Sequence, residues 1–327
     1  MFQRSFAIKY LADWDAQNPG NTVRVLFDKW ALPGQKSTSK APLRLGIREG
    51  SVIFYVKGQL IAQLSCGSDG PRLSVHNAYV SGQARKIKRE GTLHGLTEYN
   101  AKALADPATA SLVAGWIKTA VTYAWAVKRF GDDLFAANPG IIDLEMGEPA
   151  SHLPCIDQYV MRMDIVNAQV ANGVSASIAF WEVKCANTTD LRPIDGNAPK
   201  VLDRLDRFVL WISESGRIAQ VAQAYRNTAG TLIELYNLFR SIDHNAPECV
   251  RLWQALMKTK APVTIVQPSI VIGNYWPEGY IEQIEHFRMR QCAESFAKNK
   301  RRELLERHGC HVHEVGPDHG KAILPVL

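Results

Sequence analysis

The 327-residue chain is 46% hydrophobic and 21% charged, an ordinary globular balance that excludes a disordered or fibrous polymer. Its length suffices for one large buried core or two smaller ones. The net charge of +6 permits an anionic partner such as nucleic acid, without requiring one.

Cys66, Cys155, Cys185, Cys249, Cys292 and Cys310 are scattered with no C-x-x-C pair, which fits reduced thiols in a cytoplasm better than a disulfide framework. The N-terminal stretch MFQRSFAIKYLADWDAQNPG holds no uninterrupted apolar run, so no secretory signal is expected. The most apolar stretch, SLVAGWIKTAVTYAWAV, is broken by Lys118 and reads as a buried helix rather than a membrane span. Basic residues gather in RKIKRE (85–90) and KNKRRELLERH (298–308), either solvated faces or phosphate-neutralising clusters.

Residues 1–90 read as a β-rich module. LRLGIREGSVIFYVKGQLIAQLSC has strand-like runs broken at Glu49-Gly50 and Lys57-Gly58, as in an antiparallel meander with tight turns. RLSVHNAYV adds a further strand, and LPGQKSTSKAP (32–42) is a polar loop. From Thr97 to about Phe130 the pattern becomes helical and Ala-rich, with a break at Asp106-Pro107 where the aspartate can cap a second helix. Three strand-like runs follow, GIIDLEM (140–146), QYVMRMDIV (158–166) and SIAFWEVK (177–184), the last two joined through NAQVANGVSA. After the polar insertion CANTTDLRPIDGNAPK, helices are expected over 200–212 and 215–240, then a strand or strand pair in APVTIVQPSIVIG (261–273). A charged helix over about 279–308 runs into a final short strand at GCHVHEV. The expected fold class is therefore α/β, a mixed sheet flanked by helices. Residues 91–275 form its core, 1–90 a β-rich preface and 276–327 a helical extension.

Chemistry concentrates at the end of SIAFWEVK. Side chains alternate along a strand, so Ile178, Phe180, Glu182 and Lys184 share one face. An acid and a base closing an otherwise buried strand are costly without a purpose, although a surface ion pair at a fraying strand end would present the same residues. Seventeen residues separate Asp164 from Glu182, the span of a hairpin that would bring both carboxylates and Lys184 to one sheet edge. Carboxylates are hard oxygen ligands suited to Mg²⁺ or Mn²⁺. A lysine beside them can orient water or offset charge on a phosphate.

Asp164 followed by Glu182-Val183-Lys184, on the second and third strands of a helix-strand-strand-strand-helix-strand order, resembles the PD-(D/E)xK (restriction-endonuclease-like) nuclease superfamily. Glu182-Val183-Lys184 is the one acid-x-lysine triplet in the chain, and Met163 stands where the motif often has proline. The resemblance implies a metal-dependent DNA endonuclease with Mg²⁺ or Mn²⁺ held by Asp164 and Glu182 and with Lys184 orienting the attacking water or neutralising transition-state charge. By analogy it implies a restriction or phage-defence effector in the cytoplasm. Its partners would be DNA and, beyond that, a separate ATPase, helicase or sensor subunit or a second copy of the chain. Alternatives are a RecB-like exonuclease, a ribonuclease, or a catalytically silent DNA-binding or scaffold subunit.

The extra metal ligand is open between several residues. EGTLHGLTEYNAKAL is similar to the segment opening the first core helix in RecB-type members, which implies His94. Other members carry a glutamate on that helix, which implies Glu98, and Glu145 or Glu148 in DLEMGEP are equally placed in sequence. Gln220 or Gln223 with Tyr225 is similar to the RecB-type Gln-and-Tyr motif, but the spacing does not match. Cys310 with His308, His311, His313 and His319 lacks the paired spacing of a zinc site. Trp211, Trp253 and Trp276 sit in apolar surroundings that read as core. No glycine loop followed by Lys-Ser/Thr suggests ATP hydrolysis.

Overall fold

The computed structural model describes residues 2–81, 95–148, 161–171, 175–193, 198–240, 246–259, 262–273, 291–292, 294–316 and 322–326. Among them the chain is mixed α+β, with helices packed around two sheets. Helices α1 (Ile8–Gln17) and α2 (Thr22–Asp28) come first, so the N-terminal 90 residues are not β alone. Asn21 caps α2 by accepting from the Arg24 amide.

The first sheet is an antiparallel run of β1 (Leu43–Arg48), β2 (Ser51–Val56), β3 (Gln59–Gly67), β4 (Gly70–His76) and β5 (Leu96–Tyr99), in chain order. The β2–β3 turn falls at Lys57-Gly58, both with positive φ (46° and 72°), the paired left-handed geometry that matches the twist of a hairpin. Glycine is required at Gly58 twice over, since a Cβ there would lie 2.7 Å from the Lys128 carbonyl oxygen. After β4 the short helix α3 (Asn77–Val80) leads away.

The helical stretch expected from Thr97 begins later. Leu96, Thr97, Glu98 and Tyr99 form β5 on the edge of the first sheet, with Glu98 paired to Ser74. Asn100 then caps α4 (Ala101–Ala105) by accepting from the Ala103 amide. Alternating Leu-Thr-Glu-Tyr with an Asn behind it is a strand followed by a cap, and this local chemistry overrides the Ala-rich content downstream. Asp106 caps α5 (Pro107–Val121) with proline in its first turn, as expected. Helix α6 (Ala126–Ala137) completes the set before the second sheet.

The second sheet contains β6 (Ile141–Glu148), β7 (Met161–Ala171), β8 (Ser175–Cys185), β9 (Val263–Ile265), β10 (Ser269–Gly273) and β11 (His311–Val315). Its order is β11-β10-β8-β7-β6, with β9 paired to β8. The strands β6, β7 and β8 are antiparallel, whereas β10 runs parallel to both β8 and β11. Between β8 and β9 lie α7 (Lys200–Ile212), α8 (Arg217–Phe239) and α9 (Glu248–Lys258). The helix-strand-strand-strand-helix-strand order is thus present. Helix α10 (Arg301–Arg307) precedes β11. The C-terminal region is therefore more than a helical extension: β11 completes the sheet beyond residue 275, because β10 would otherwise leave its outer hydrogen bonds unpaired.

One continuous apolar core runs through both sheets, with Trp30, Trp116, Trp181, Trp211 and Trp253 all buried within it. Trp276 lies outside the described residues. Phe180 on the inner face of β8 packs on Phe208 of α7 and Tyr225 of α8. Among the described residues no helix is long and apolar enough to cross a membrane.

Polar ties cross the seam between the sheets. Asp132 of α6 is buried, receiving Arg44 Nε from β1 at 2.9 Å, Lys57 Nζ at 2.8 Å and Ser37 Oγ at 2.9 Å. Burial alone would raise its pKa, but Arg44 and Lys57 hold it below the ordinary aspartate value. Its folded value is depressed, so its contribution to stability is complete above the unfolded pKa and is lost as pH falls through the folded one. Asp132→Ala leaves Arg44 buried without its partner and should cost about 3–5 kcal/mol, read by denaturant unfolding at neutral pH.

Candidate active site at the splayed ends of β7 and β8

The pairing of β7 with β8 runs from Ala171–Ser175 to Ile165–Trp181. At Asp164 it passes from backbone to side chain: Asp164 Oδ2 accepts from the Val183 amide at 2.9 Å. A carboxylate standing in for a carbonyl fixes Asp164 against β8 and separates the two strand ends, which opens the sheet locally. Glu182 and Lys184 follow on the face that Asp164 shares by register.

Glu182 is completely buried. Its Oε1 accepts from Lys184 Nζ at 2.5 Å and from Arg204 Nη1 of α7, whereas its Oε2 is buried with no hydrogen-bond partner. Burial and the neighbouring Asp164 carboxylate push Glu182 up to about 7, against the pull of Lys184 and Arg204. Lys184 also reaches Asp190 Oδ2 at 3.6 Å, on the 3-10 turn Thr189–Leu191 that follows β8.

Glu145 of β6 lies between the register pairs Leu144–Ile165 and Met146–Met163, across from Asp164. Its φ is +50°, a left-handed conformation that a glutamate adopts only when its surroundings enforce it. Lys128 of α6 and Arg162 of β7 both pair with its carboxylate. Lys128, Glu145, Asp164 and Val183 line one small cavity. Burial, then the adjacent Arg162, draw Lys128 down to about 8, opposed by Asp164 and Glu182.

The kink at Glu145 is enforced from the other sheet. Arg48 of β1 binds Asp143 Oδ1 at 2.5 Å, and its Nη2 donates to the Leu144 carbonyl and, at 2.8 Å, to the Glu145 carbonyl. Gly46 makes room, since a Cβ there would lie 3.1 Å from Asp143 Oδ1 and 3.2 Å from the Tyr55 ring.

The predicted residues divide clearly. Asp164, Glu182 and Lys184 come together, and Glu145 joins them. Glu98 does not: β5 belongs to the first sheet, where the residue is exposed. His94 lies outside the described residues, and Glu148 ends β6 with its side chain outside them. Tyr225 is buried under β6, donating to Asp143 Oδ2 at 3.2 Å. Gln220 and Gln223 line a groove beside the N-terminal segment, so neither forms a set with Tyr225 at the carboxylates. Sequence reasoning missed Lys128, Arg162 and Arg204. Only Arg162 carried a signal, standing two residues before Asp164 on the same strand face.

Among the described residues no group of three His, Cys, Asp or Glu side chains is arranged as a ready metal cage. Mg²⁺ needs none, being held through one or two carboxylates with waters and substrate phosphates. The unpartnered, buried Glu182 Oε2, with a second carboxylate near enough to raise its pKa, is a donor set that fits such an ion.

The raised Glu182 pKa sets a sign for stability. In metal-free protein the unfolded chain releases this proton at lower pH than the folded one. Stability should therefore fall by about 3 kcal/mol as pH rises from the ordinary glutamate range to about 7, and no further above it. Urea unfolding in chelator at pH 5 and pH 8 measures the difference, and Glu182→Gln should remove most of it.

Comparison with models of protein families, with curated proteins and with solved structures finds no match for this chain. Its functional reading rests on the geometry of Asp164, Glu182, Lys184 and the cations around them.

Proposed function

We propose that the chain is a metal-dependent nuclease of the PD-(D/E)xK type, hydrolysing DNA phosphodiesters from within the strand. The observation that carries this reading is the buried, unpartnered Glu182 Oε2 beside Asp164, with Lys184 on the same strand face. Support also comes from the mixed sheet, in which the strand after the helices runs parallel to the one bearing Glu182 and Lys184.

Asp164 and Glu182 would hold Mg²⁺ or Mn²⁺, with Glu145 free to join once Lys128 and Arg162 turn to substrate. Such an ion, when bound, polarises a phosphoryl oxygen as a Lewis acid. Arg162 and Arg204, with side chains 42% and 40% exposed, present guanidinium forks to the phosphate. Lys184 orients the attacking water and offsets the negative charge that grows as its oxygen bonds to phosphorus. As the new bond forms the water would give up a proton to bulk solvent, and the bond from phosphorus to the ester oxygen would break. Lys128, held near 8 and lining the cavity beside Asp164, is placed to donate a proton to the departing oxygen.

The restriction or defence role, the cytoplasmic location and any ATPase, sensor or second-copy partner belong to this proposal by analogy. One observation favours a silent DNA-binding or scaffold subunit instead: Glu182 and Glu145 are each held by two cations, which substrate or metal must displace.

Supercoiled plasmid incubated with Mg²⁺, with Mn²⁺ and with EDTA separates the readings. Metal-dependent nicking is the expected outcome, and binding without cleavage in either metal supports the scaffold. Cutting restricted to linear DNA identifies the exonuclease, and cutting restricted to RNA the ribonuclease. Lys184→Ala should slow cleavage roughly a hundredfold or more, and Glu182→Gln should abolish it. Glu98→Ala should cut normally. A folded Glu182→Gln protein with wild-type activity sinks the assignment.

A further inference from the structure

Several arginines carry a buried N–H with no hydrogen-bond partner, among them Arg192 and Arg301, which lie outside the carboxylate cluster. Arg192 follows the 3-10 turn Thr189–Leu191, whose Asp190 is 3.6 Å from Lys184. Its Nε is buried with no hydrogen-bond partner. Arg301 opens α10, and its Nη1 is likewise buried and unpartnered, with only a 3.5 Å contact from Nη2 to Ser295 Oγ.

Sheet register brings these two segments to the same end of the molecule. Arg302 lies 3.6 Å from Glu314 of β11, Glu314 pairs with Ile272 of β10, and Ile272 pairs with Lys184 of β8. The start of α10 therefore stands level with Lys184, on the face where α7 and the 3-10 turn also sit. No carboxylate pairs with either arginine among the described residues, whereas the neighbouring Arg302 and Arg307 pair with Glu306 and Glu303. Burial, then the charge of Arg192, hold Arg301 below its ordinary pKa, so the two guanidinium groups repel one another as they stand.

Two convergent guanidinium groups with buried, unused N–H donors cost stability unless an anion completes them. Their planar forks match tetrahedral oxyanions, phosphate above all. We propose that Arg192 and Arg301 form a phosphate-binding site beside, and separate from, the Asp164–Glu182–Lys184 cluster. The phosphate can belong to a nucleic-acid backbone running past the cluster or to a free phosphorylated ligand. The site goes beyond the nuclease reading and does not require cleavage.

The test is titration of inorganic phosphate into metal-free protein by calorimetry, in EDTA, where no metal ion can bridge the anion to Asp164 and Glu182. Wild type should bind phosphate, and Arg192→Gln and Arg301→Gln should each weaken it roughly tenfold or more. Arg307→Gln, which makes the same change of charge on the same helix away from the pair, should not. If either glutamine variant fails to fold, Arg192→Lys and Arg301→Lys keep the charge but lose the fork and should still bind several-fold more weakly.

A second arm measures duplex DNA affinity against salt, again without metal. Loss of one backbone phosphate contact should reduce the log–log slope by about 0.9 in the glutamine variants. Weakened phosphate binding with a reduced slope assigns the site to nucleic acid. Weakened phosphate binding with an unchanged slope establishes the site and assigns it to a free phosphorylated ligand. No phosphate binding by wild type, or equal binding by wild type and the Arg192 and Arg301 variants, overturns the proposal whether or not the protein cuts DNA.

Discussion

A single buried carboxylate, Asp143, ties the rest together. It is fully buried, and it accepts from Arg48 of the first sheet, Tyr225 of α8 and the Leu144 amide, with Arg4 of the N-terminal segment 3.5 Å away. A buried carboxylate cannot stay in such a place without compensation. Its partners come from positions as distant as 4, 48 and 225, so the two sheets and the long helix have one mutual arrangement that satisfies it. Arg48 then uses its remaining donors on the carbonyls of Leu144 and Glu145, which holds β6 in its left-handed kink. The N-terminal sheet thereby shapes the candidate active site without contributing a carboxylate to it.

Charge balance governs the site itself. Asp164, Glu182 and Glu145 stand on three adjacent strands, where like charges oppose one another. Lys128 and Arg162 offset Glu145, and Lys184 and Arg204 offset Glu182. The compensation is incomplete at Glu182, whose second oxygen has no partner and whose proton is held up to about neutral pH. This is the arrangement expected of a site waiting for a cation, since a divalent ion relieves both the repulsion and the orphaned oxygen. On the proposed reading, the cations now paired to carboxylates would then become available to phosphate. Arg192 and Arg301, which pair with no carboxylate among the described residues, would be available already.

Much of the frame was legible along the chain. Two-residue alternation placed Asp164, Glu182 and Lys184 on strands and put the last two on one face, as β7 and β8 have them. The Lys57-Gly58 turn and the Asp106-Pro107 helix start followed from backbone sterics and capping, which are local. Glu98 was misplaced because an Ala-rich helix begins only three residues later, at Ala101. The alternation of Leu96 to Tyr99 and the capping of Asn100 decide that boundary. At the C-terminal side, β11 is legible as a strand, but its pairing with β10, across residue 275, is not.

By itself, then, the sequence determined the α/β class, the strands that bear the acidic pair and the lysine, and the residue types that suit a hard metal ion. Periods of 2 and 3.6 residues and the conformational limits of Gly, Pro, Asn and Asp act over a few residues and can be read directly. Tertiary structure alone decided that Arg204, 22 positions from Glu182, and Lys128, 17 from Glu145, would meet those carboxylates, and that Arg48 would hold the Glu145 kink from 97 positions away. Such pairings depend on which buried charges must be neutralised once the sheets pack. No spacing along the chain encodes that requirement, because it arises only when water is excluded from between them.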